Sequence, residues 1–201
     1  MLRVGLTGGL ASGKSFVGRE LEALGCLVIR ADELGHRVQA PDGEAYAGII
    51  AEFGRGILNP DGTINRRLLG AEVFSRPERL QKLSALVHPP VRARELKQIE
   101  EFARTHPDGI AVTEAAILVE TGSYREYARL IVAVCSEEQQ IVRAMTRDHL
   151  TREEVMDRLR RQLPLQEKVK YADYVIDTSG TKEHTLEQTR AVYAALRSLT
   201  Q

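Results

Sequence analysis

The sequence predicts an α/β fold built around a phosphate-binding loop, and three observations predict it. Apolar runs of strand type alternate along the chain with stretches whose apolar residues recur at helical spacing. Residues Gly8-Gly9-Leu10-Ala11-Ser12-Gly13-Lys14-Ser15 match the pattern G-x-x-x-x-G-K-[ST]. That motif falls between a strand-like run, Leu2 to Leu6, and a helical pattern from Lys14 to Leu24 that carries Val17, Leu21 and Leu24. Its chemistry requires this context. The glycines let the backbone turn with its N–H groups inward, and the following helix offers unpaired N–H groups and a positive dipole end to an anion. Lys14 is placed to reach the β- and γ-phosphates of a nucleotide, and the Ser15 hydroxyl to bind Mg²⁺.

The next strand-like run is Cys26 to Ile29, followed by Arg30-Ala31-Asp32. Asp32 therefore stands at the carboxyl edge of the sheet, where open α/β sheets bind ligands. Two readings stay open for it, a functional carboxylate or the N-cap of a helix that starts at Glu33. From about residue 32 to 106 the sequence shows helical patterns and turns without a convincing strand. Runs from Arg66 to Phe74 and Glu78 to Val87 read as helices, and a turn is expected at Asn59-Pro60-Asp61-Gly62. His88-Pro89-Pro90 is expected to separate the second run from a long helix over Val91 to Thr105. The stretch is too long for an ordinary crossover and reads as a helical insertion that serves a phosphoryl acceptor. Arg66 and Arg67 within it face either a phosphate or solvent.

Strand character returns at Gly109 to Thr113, and Glu114 at its end is a candidate Mg²⁺ ligand or an ordinary strand-end carboxylate. The run Ala115 to Val119 leads to Glu120. Another strand, Leu130 to Cys135, runs into a helix from Glu137 to Arg147 with acids in its first turn. Arg143, Arg147, Arg152, Arg158, Arg160 and Arg161 follow one another closely. Thr151-Arg152-Glu153-Glu154 is a capping-box pattern, so a helix bearing the later four arginines is expected to begin there and close over a triphosphate as a lid over about 148–166. Some of these arginines are balanced by Glu153, Glu154 and Asp157. Pro164 ends the segment, Tyr174 to Asp177 is a last strand, and Lys182 to Leu199 a closing helix.

At 201 residues the chain is long enough for one compact domain with a substantial core. The 28 basic and 28 acidic residues cancel, so nothing global points to nucleic acid or a membrane surface, and an anionic substrate falls to local arginines. No leader pattern and no apolar run near membrane length are seen, which sets the expectation of a cytoplasmic location. Cys26 and Cys135 lie in apolar runs without metal-ligand spacing and read as reduced core thiols, while the five histidines form no metal constellation.

The ordered set of segments resembles the dephospho-coenzyme A kinase family over nearly the whole chain. It comprises Leu6-Thr7-Gly8-Gly9 entering the loop, Val28-Ile29-Arg30-Ala31-Asp32, Asp61-Gly62-Thr63-Ile64-Asn65-Arg66, Leu86-Val87-His88-Pro89, Ile117-Leu118-Val119-Glu120 and Ala172-Asp173-Tyr174-Val175-Ile176-Asp177. The resemblance implies a P-loop kinase with a five-stranded parallel sheet between helices, a helical acceptor insertion and an arginine-rich lid, all within a single domain over 1–201. It implies transfer of the ATP γ-phosphoryl group to the ribose 3′-hydroxyl of dephospho-coenzyme A. On that reading Asp32, Lys14 and Arg143 are catalytic, with Asp32 the base. Nucleotide contacts come from Gly8 through Phe16 with Arg147 and Arg158. Acceptor contacts come from Asp32, Arg66, His88, Leu118 and Glu120, and Ser15 and Glu114 hold Mg²⁺. The chain departs from the family pattern at Arg30, Phe16, Ala116 and Thr178, which touches substrate fit and nucleotide-base contact and removes no catalytic group. A kinase of the same fold with a nucleotide or nucleoside acceptor is the alternative. A GTPase-type switch would require a guanine-reading N/T-K-x-D segment, and Thr181-Lys182-Glu183-His184 lacks its aspartate.

Overall fold

The structure is a computed structural model that describes residues 1–74 and 76–200. Among the described residues five strands form one parallel sheet. They are β1 Leu2–Gly8, β2 Leu27–Arg30, β3 Ile110–Glu114, β4 Arg129–Val134 and β5 Tyr174–Asp177, in the order β2-β3-β1-β4-β5. Helices complete the chain: α1 Lys14–Ala23, α2 Ala31–Val38, α3 Tyr46–Phe53, α4 Arg66–Val73, α5 Pro77–Thr105, α6 Glu137–Asp148, α7 Arg152–Leu159, α8 Leu165–Val169 and α9 Lys182–Arg197. Because β1 lies between β3 and β4, the chain leaves it at a point where successive connections diverge, and the loop after β1 opens into that crevice. The carboxyl ends Gly8, Glu114, Val134 and Asp177 share one edge of the sheet.

Contacts divide the chain into two compact units, Met1–Arg30 with Glu101–Gln201, and Ala31–Glu100. In the first, strands buried on both faces read as continuous apolar runs, and Val4, Leu6, Val112 and Ile131 of the sheet pack with Val17, Leu21 and Leu196 of the helices. The second unit is helical, apart from an isolated antiparallel bridge between Leu58 and Ile64, and has its own core of Val38, Ala45, Ile49, Ile57, Leu69 and Val73. Gly62 closes the expected turn by donating its N–H to the Asn59 carbonyl at 3.0 Å.

Several local expectations change. Strand β2 starts one residue later than the apolar run suggests, leaving Cys26 buried just before it, and Cys135 follows β4 half-buried. Helix α2 begins at Ala31, so Asp32 is not an N-cap; it is an exposed acid in the first turn, where the helix dipole favours it. The prolines at 89 and 90 do not separate two helices. Helix α5 is continuous through them, since proline's fixed φ is helical and the cost is confined to the missing N–H groups and local crowding one turn back. Helix α7 stops at Leu159, which leaves Arg160 at its C-cap and Arg161 beyond it. Pro164 occupies the N-cap of α8, a short helix that the proline concealed in the sequence. The expected capping box at Thr151/Glu154 forms, and a second one, Ser136/Gln139, opens α6.

Burial pushes the Cys26 thiol up to about 12, against the pull of the Arg197 charge. The folded state disfavours the thiolate, so the stability this thiol contributes is complete below its ordinary value of 9.0 and is lost as pH climbs from there towards 12. Urea denaturation between pH 8 and 11 should show a flatter loss of stability for Cys26→Ala than for wild type. Identical pH slopes would contradict the buried-thiol assignment.

Candidate active site

The loop between β1 and α1 is shaped by two residues in the left-handed region, Ala11 at φ 52° and Gly13 at φ 88°. Gly13 occupies the N-cap of α1, and no side chain is possible there for two reasons: the positive φ, and Thr178, whose Cγ2 and Oγ1 would stand 2.8 Å from an added Cβ. Phe16 N and Val17 N donate to the Gly13 carbonyl at 3.0 and 3.2 Å, and a helix start of this kind directs its dipole and its first N–H groups towards an anion. A loop that offers its amides to a ligand turns its carbonyls the other way, and each of those needs a donor.

The donors come from scattered parts of the chain. Gly9 O accepts from Lys14 Nζ at 2.8 Å and from Ser12 N at 3.3 Å. Gly8 O lies 3.5 Å from Lys14 Nζ and 3.3 Å from Lys168 Nζ. Leu10 O accepts from Gln140 Nε2 of α6 at 2.7 Å, and Leu10 N donates to Gln162 Oε1 at 2.9 Å. Ser12 O accepts from Thr178 Oγ1 at 2.9 Å. Thr178, 6% exposed, also receives Arg143: Nη1 donates to Oγ1 at 3.1 Å and Nη2 to the Thr178 carbonyl at 2.7 Å. One residue thus fixes the back of the loop and the guanidinium beside it.

In front of the loop is a cavity of about 480 Å³ lined by Ala11 through Phe16, Arg19, Val142, Arg143, Thr146 and Arg147. Arg147 reaches it while held in a two-pronged pair with Asp148, at 2.7 and 2.9 Å. That pair raises the Arg147 guanidinium and holds the Asp148 carboxyl below its ordinary value. Arg158 does not line the cavity; it lies 3.8 Å from the same Asp148. Of the acids expected to balance these arginines, Asp157 pairs with Arg160, whereas Arg152 is paired with Glu138 of α6. Cys135 lies close to Arg143, Thr178 and Lys14, and burial pushes its thiol up.

Ser15 and Glu114 meet. Ser15 Oγ donates to Glu114 Oε1 at 2.6 Å, and Glu114 Oε2 is buried without a hydrogen-bond partner among the described residues. Gly18 leaves the space for it, since a Cβ there would stand 3.0 Å from Oε2. A buried, unpaired carboxylate oxygen beside a hydroxyl and a phosphate cradle fits Mg²⁺, which is held by one or two carboxylates together with substrate phosphates. No group of three or more His, Cys, Asp or Glu side chains able to hold a metal occurs among the described residues, so phosphate oxygens and water would complete the shell.

The acceptor candidates divide. In the Ala31–Glu100 unit, Asp32 and Arg66 are exposed and both act on His36, one turn along α2 from Asp32. Burial lowers His36 most, Arg66 lowers it further, and Asp32 and Glu33 oppose them. His88 is exposed on α5. Leu118 and Glu120, expected from the resemblance as acceptor contacts, belong to the turn after β3 in the other unit, and Glu120 Oε2 is buried without a hydrogen-bond partner among the described residues. Leu118 is 5% exposed, with Cδ1 3.0 Å from a Cβ built on Gly5. Glu120 accepts from Leu163 N at 3.1 Å and from Lys168 Nζ at 2.7 Å. Reading the sequence missed Gln140, Gln162, Lys168 and Arg19. Only Arg19 carries a local signal, one helical turn beyond Ser15 and three residues after Phe16.

A family model described as dephospho-CoA kinase matches residues 2–184. A dephospho-CoA kinase from Carboxydothermus hydrogenoformans is 42% identical over 185 residues, covering 92% of this chain and 89% of its own. A crystal structure from Thermus thermophilus superposes with a TM-score of 0.86 at 32% identity, over 100% of this chain and 98% of that one. A shikimate kinase from Acinetobacter baumannii, in complex with shikimate, reaches a TM-score of 0.53 at 17% identity, over 98% of this chain and 94% of its own. That likeness is one of fold alone.

Thr178→Val keeps the side-chain shape and removes the hydroxyl. It leaves Ser12 O without its threonine donor and Arg143 without one of its two acceptors, at a cost of about 1–3 kcal/mol. ATP-dependent turnover of the variant should fall by about 10-fold, equivalent to roughly 1.4 kcal/mol of transition-state stabilisation. Steady-state kinetics on a folded variant that matched wild type would show that the hydroxyl does not matter.

Proposed function

The chain belongs to the dephospho-CoA kinase family, and we propose that it transfers the γ-phosphoryl group of ATP to the ribose 3′-hydroxyl of dephospho-CoA, releasing CoA and ADP. The observation that carries the reading is the assembled cradle of Lys14, Ser15 and Glu114 in a chain matched along nearly its full length by the family. The fold by itself does not name the acceptor, as the shikimate kinase likeness illustrates.

In this mechanism the loop amides and Lys14 hold the β- and γ-phosphates and orient the γ-phosphorus for in-line attack. Ser15 and Glu114 would hold Mg²⁺, which would supply neutralisation of charge on the phosphates. Arg143 and Arg147 offset the charge that builds on the transferring group, and Arg143 does so from a position already set by Thr178, with little reorganisation during reaction. Asp32 accepts the proton of the 3′-hydroxyl as the new P–O bond forms. Arg66 and His88 serve the acceptor from the Ala31–Glu100 unit, and residues 148–166, with Arg158, act as a lid that excludes water from the phosphates. Among the described residues no helix is long and apolar enough to cross a membrane.

The direct test is ADP release with ATP and Mg²⁺ over a panel of dephospho-CoA, adenosine, nucleoside monophosphates and pantothenate derivatives. Dephospho-CoA should be the preferred acceptor, and a clear preference for any other would overturn the reading. Two variants examine the roles. Lys14→Ala should fold and lose nearly all turnover, because its ammonium serves phosphate and loop carbonyls and contributes little to the core. Asp32→Asn should unfold within about 1 kcal/mol of wild type, the scale of a charge near a helix N-terminus, and retain ATP binding. Its kcat should drop by about 10² or more, the scale of general-base assistance. Turnover within a few-fold of wild type would remove Asp32 from the base role.

A further inference from the structure

Lys168 is the largest fully buried side chain of the protein among the described residues, at 0% exposure. Burying an ammonium is costly, and a methionine would fill the same space without the charge, so the cost has to be offset by what the charge holds. Its three N–H bonds find three acceptors: Ala116 O at 2.6 Å, Glu120 Oε1 at 2.7 Å and Gly8 O at 3.3 Å. Ala116 and Glu120 lie on the turn that follows Glu114, and Gly8 opens the phosphate loop. One cation therefore joins the ends of the neighbouring strands that deliver the metal ligand and the loop.

Residues on the same side of the chain read along the loop in reverse. Gln162 bonds Leu10, Leu165 packs against Gly9 with its Cδ2 3.4 Å from where a Cβ would stand, and Lys168 bonds Gly8. Lys14 lies among these carbonyls and must give up its contacts with Gly9 O and Gly8 O to reach phosphate oxygens. Gly9 O then keeps Ser12 N, and Gly8 O keeps Lys168. We propose that Lys168 is a positioning residue for phosphoryl transfer: it holds the Gly8 carbonyl in place so that Lys14 can pass from the loop to the phosphates without leaving a buried acceptor unpaired. The inference rests on the kinase reading above and adds to it a residue that touches neither substrate.

The test is Lys168→Met, assayed beside wild type and Lys14→Ala with thermal unfolding as the control for folding. If Lys168 positions the loop, KM for ATP should rise about 10-fold and kcat per folded molecule should fall about 10-fold, while KM for dephospho-CoA changes less than about 2-fold. A purely structural lysine would lower the melting temperature and leave both ATP parameters unchanged. Should removal of one partner of the Lys168 and Glu120 pair unfold the protein, the Lys168→Met/Glu120→Gln double variant removes both charges and restores a neutral interior. The same shift in ATP parameters is expected of it. Wild-type kcat and KM for ATP in either folded variant would overturn the proposal, and failure of both to fold would assign Lys168 to the fold and overturn it equally. An inactive wild type would instead fail the kinase reading, so the two failures are told apart.

Discussion

A backbone loop that wraps an anion must turn its N–H groups towards it, and the carbonyls it then presents to the protein need donors of their own. This constraint organises the first unit. Gly8, Gly9, Leu10 and Ser12 are met respectively by Lys168, Lys14, Gln140 and Thr178, which come from α8, α1, α6 and the residue after β5. The parallel order β2-β3-β1-β4-β5 brings these donors to one edge of the sheet, because every strand delivers its following segment to the same side. The two left-handed residues, Ala11 and Gly13, are tolerated inside this frame of partners. Preorganisation of the cradle is thus a property of its outer side, and the inner side is left to the phosphates.

Much of this was legible in the sequence. The strands, the loop with its Lys14 and Ser15, and the capping box at Thr151 follow from short-range pattern, because period, cap and turn chemistry are written in adjacent residues; that Ser15 meets Glu114, 99 residues away, follows from the sheet order instead. What was not legible has a physical cause in each case. The buried role of Lys168 depends on acceptors 160 and 52 residues away, and nothing in its own neighbourhood distinguishes it from the solvated Lys170. Pro89 and Pro90 suggested a break that helix α5 absorbs, and Pro164 suggested an end where it begins α8. Glu120 was expected as an acceptor contact; its Oε1 is engaged by Lys168 and the Leu163 amide, while its buried Oε2 has no hydrogen-bond partner among the described residues.

The departures from the family pattern acquire physical meaning. Ala116 acts through its carbonyl, which accepts from Thr7 Oγ1 at 3.2 Å and from Lys168, so the identity of its side chain is of little consequence there. Arg30, another of the departures, is paired with Glu22 on α1 at 2.8 Å and so stabilises the first unit locally. Thr178 is the departure with reach. Its branched side chain presses on Gly13 while its hydroxyl links Ser12 and Arg143, which ties the geometry of the loop to that of the guanidinium beside the cavity.

The central claim is that this outer frame of donors holds the loop ready while Lys14 alone changes partners. A crystal structure with Mg²⁺ and a non-hydrolysable ATP analogue tests it most directly. In that complex the β- and γ-phosphates should lie against the loop and the start of α1, with Lys14 Nζ moved from the Gly9 carbonyl to phosphate oxygen, and the contacts of Leu10 N with Gln162, of Ser12 N with Gly9 O, and of Lys168, Gln140 and Thr178 unchanged. A nucleotide bound outside the cavity, or a loop that exchanges those contacts on binding, would contradict it.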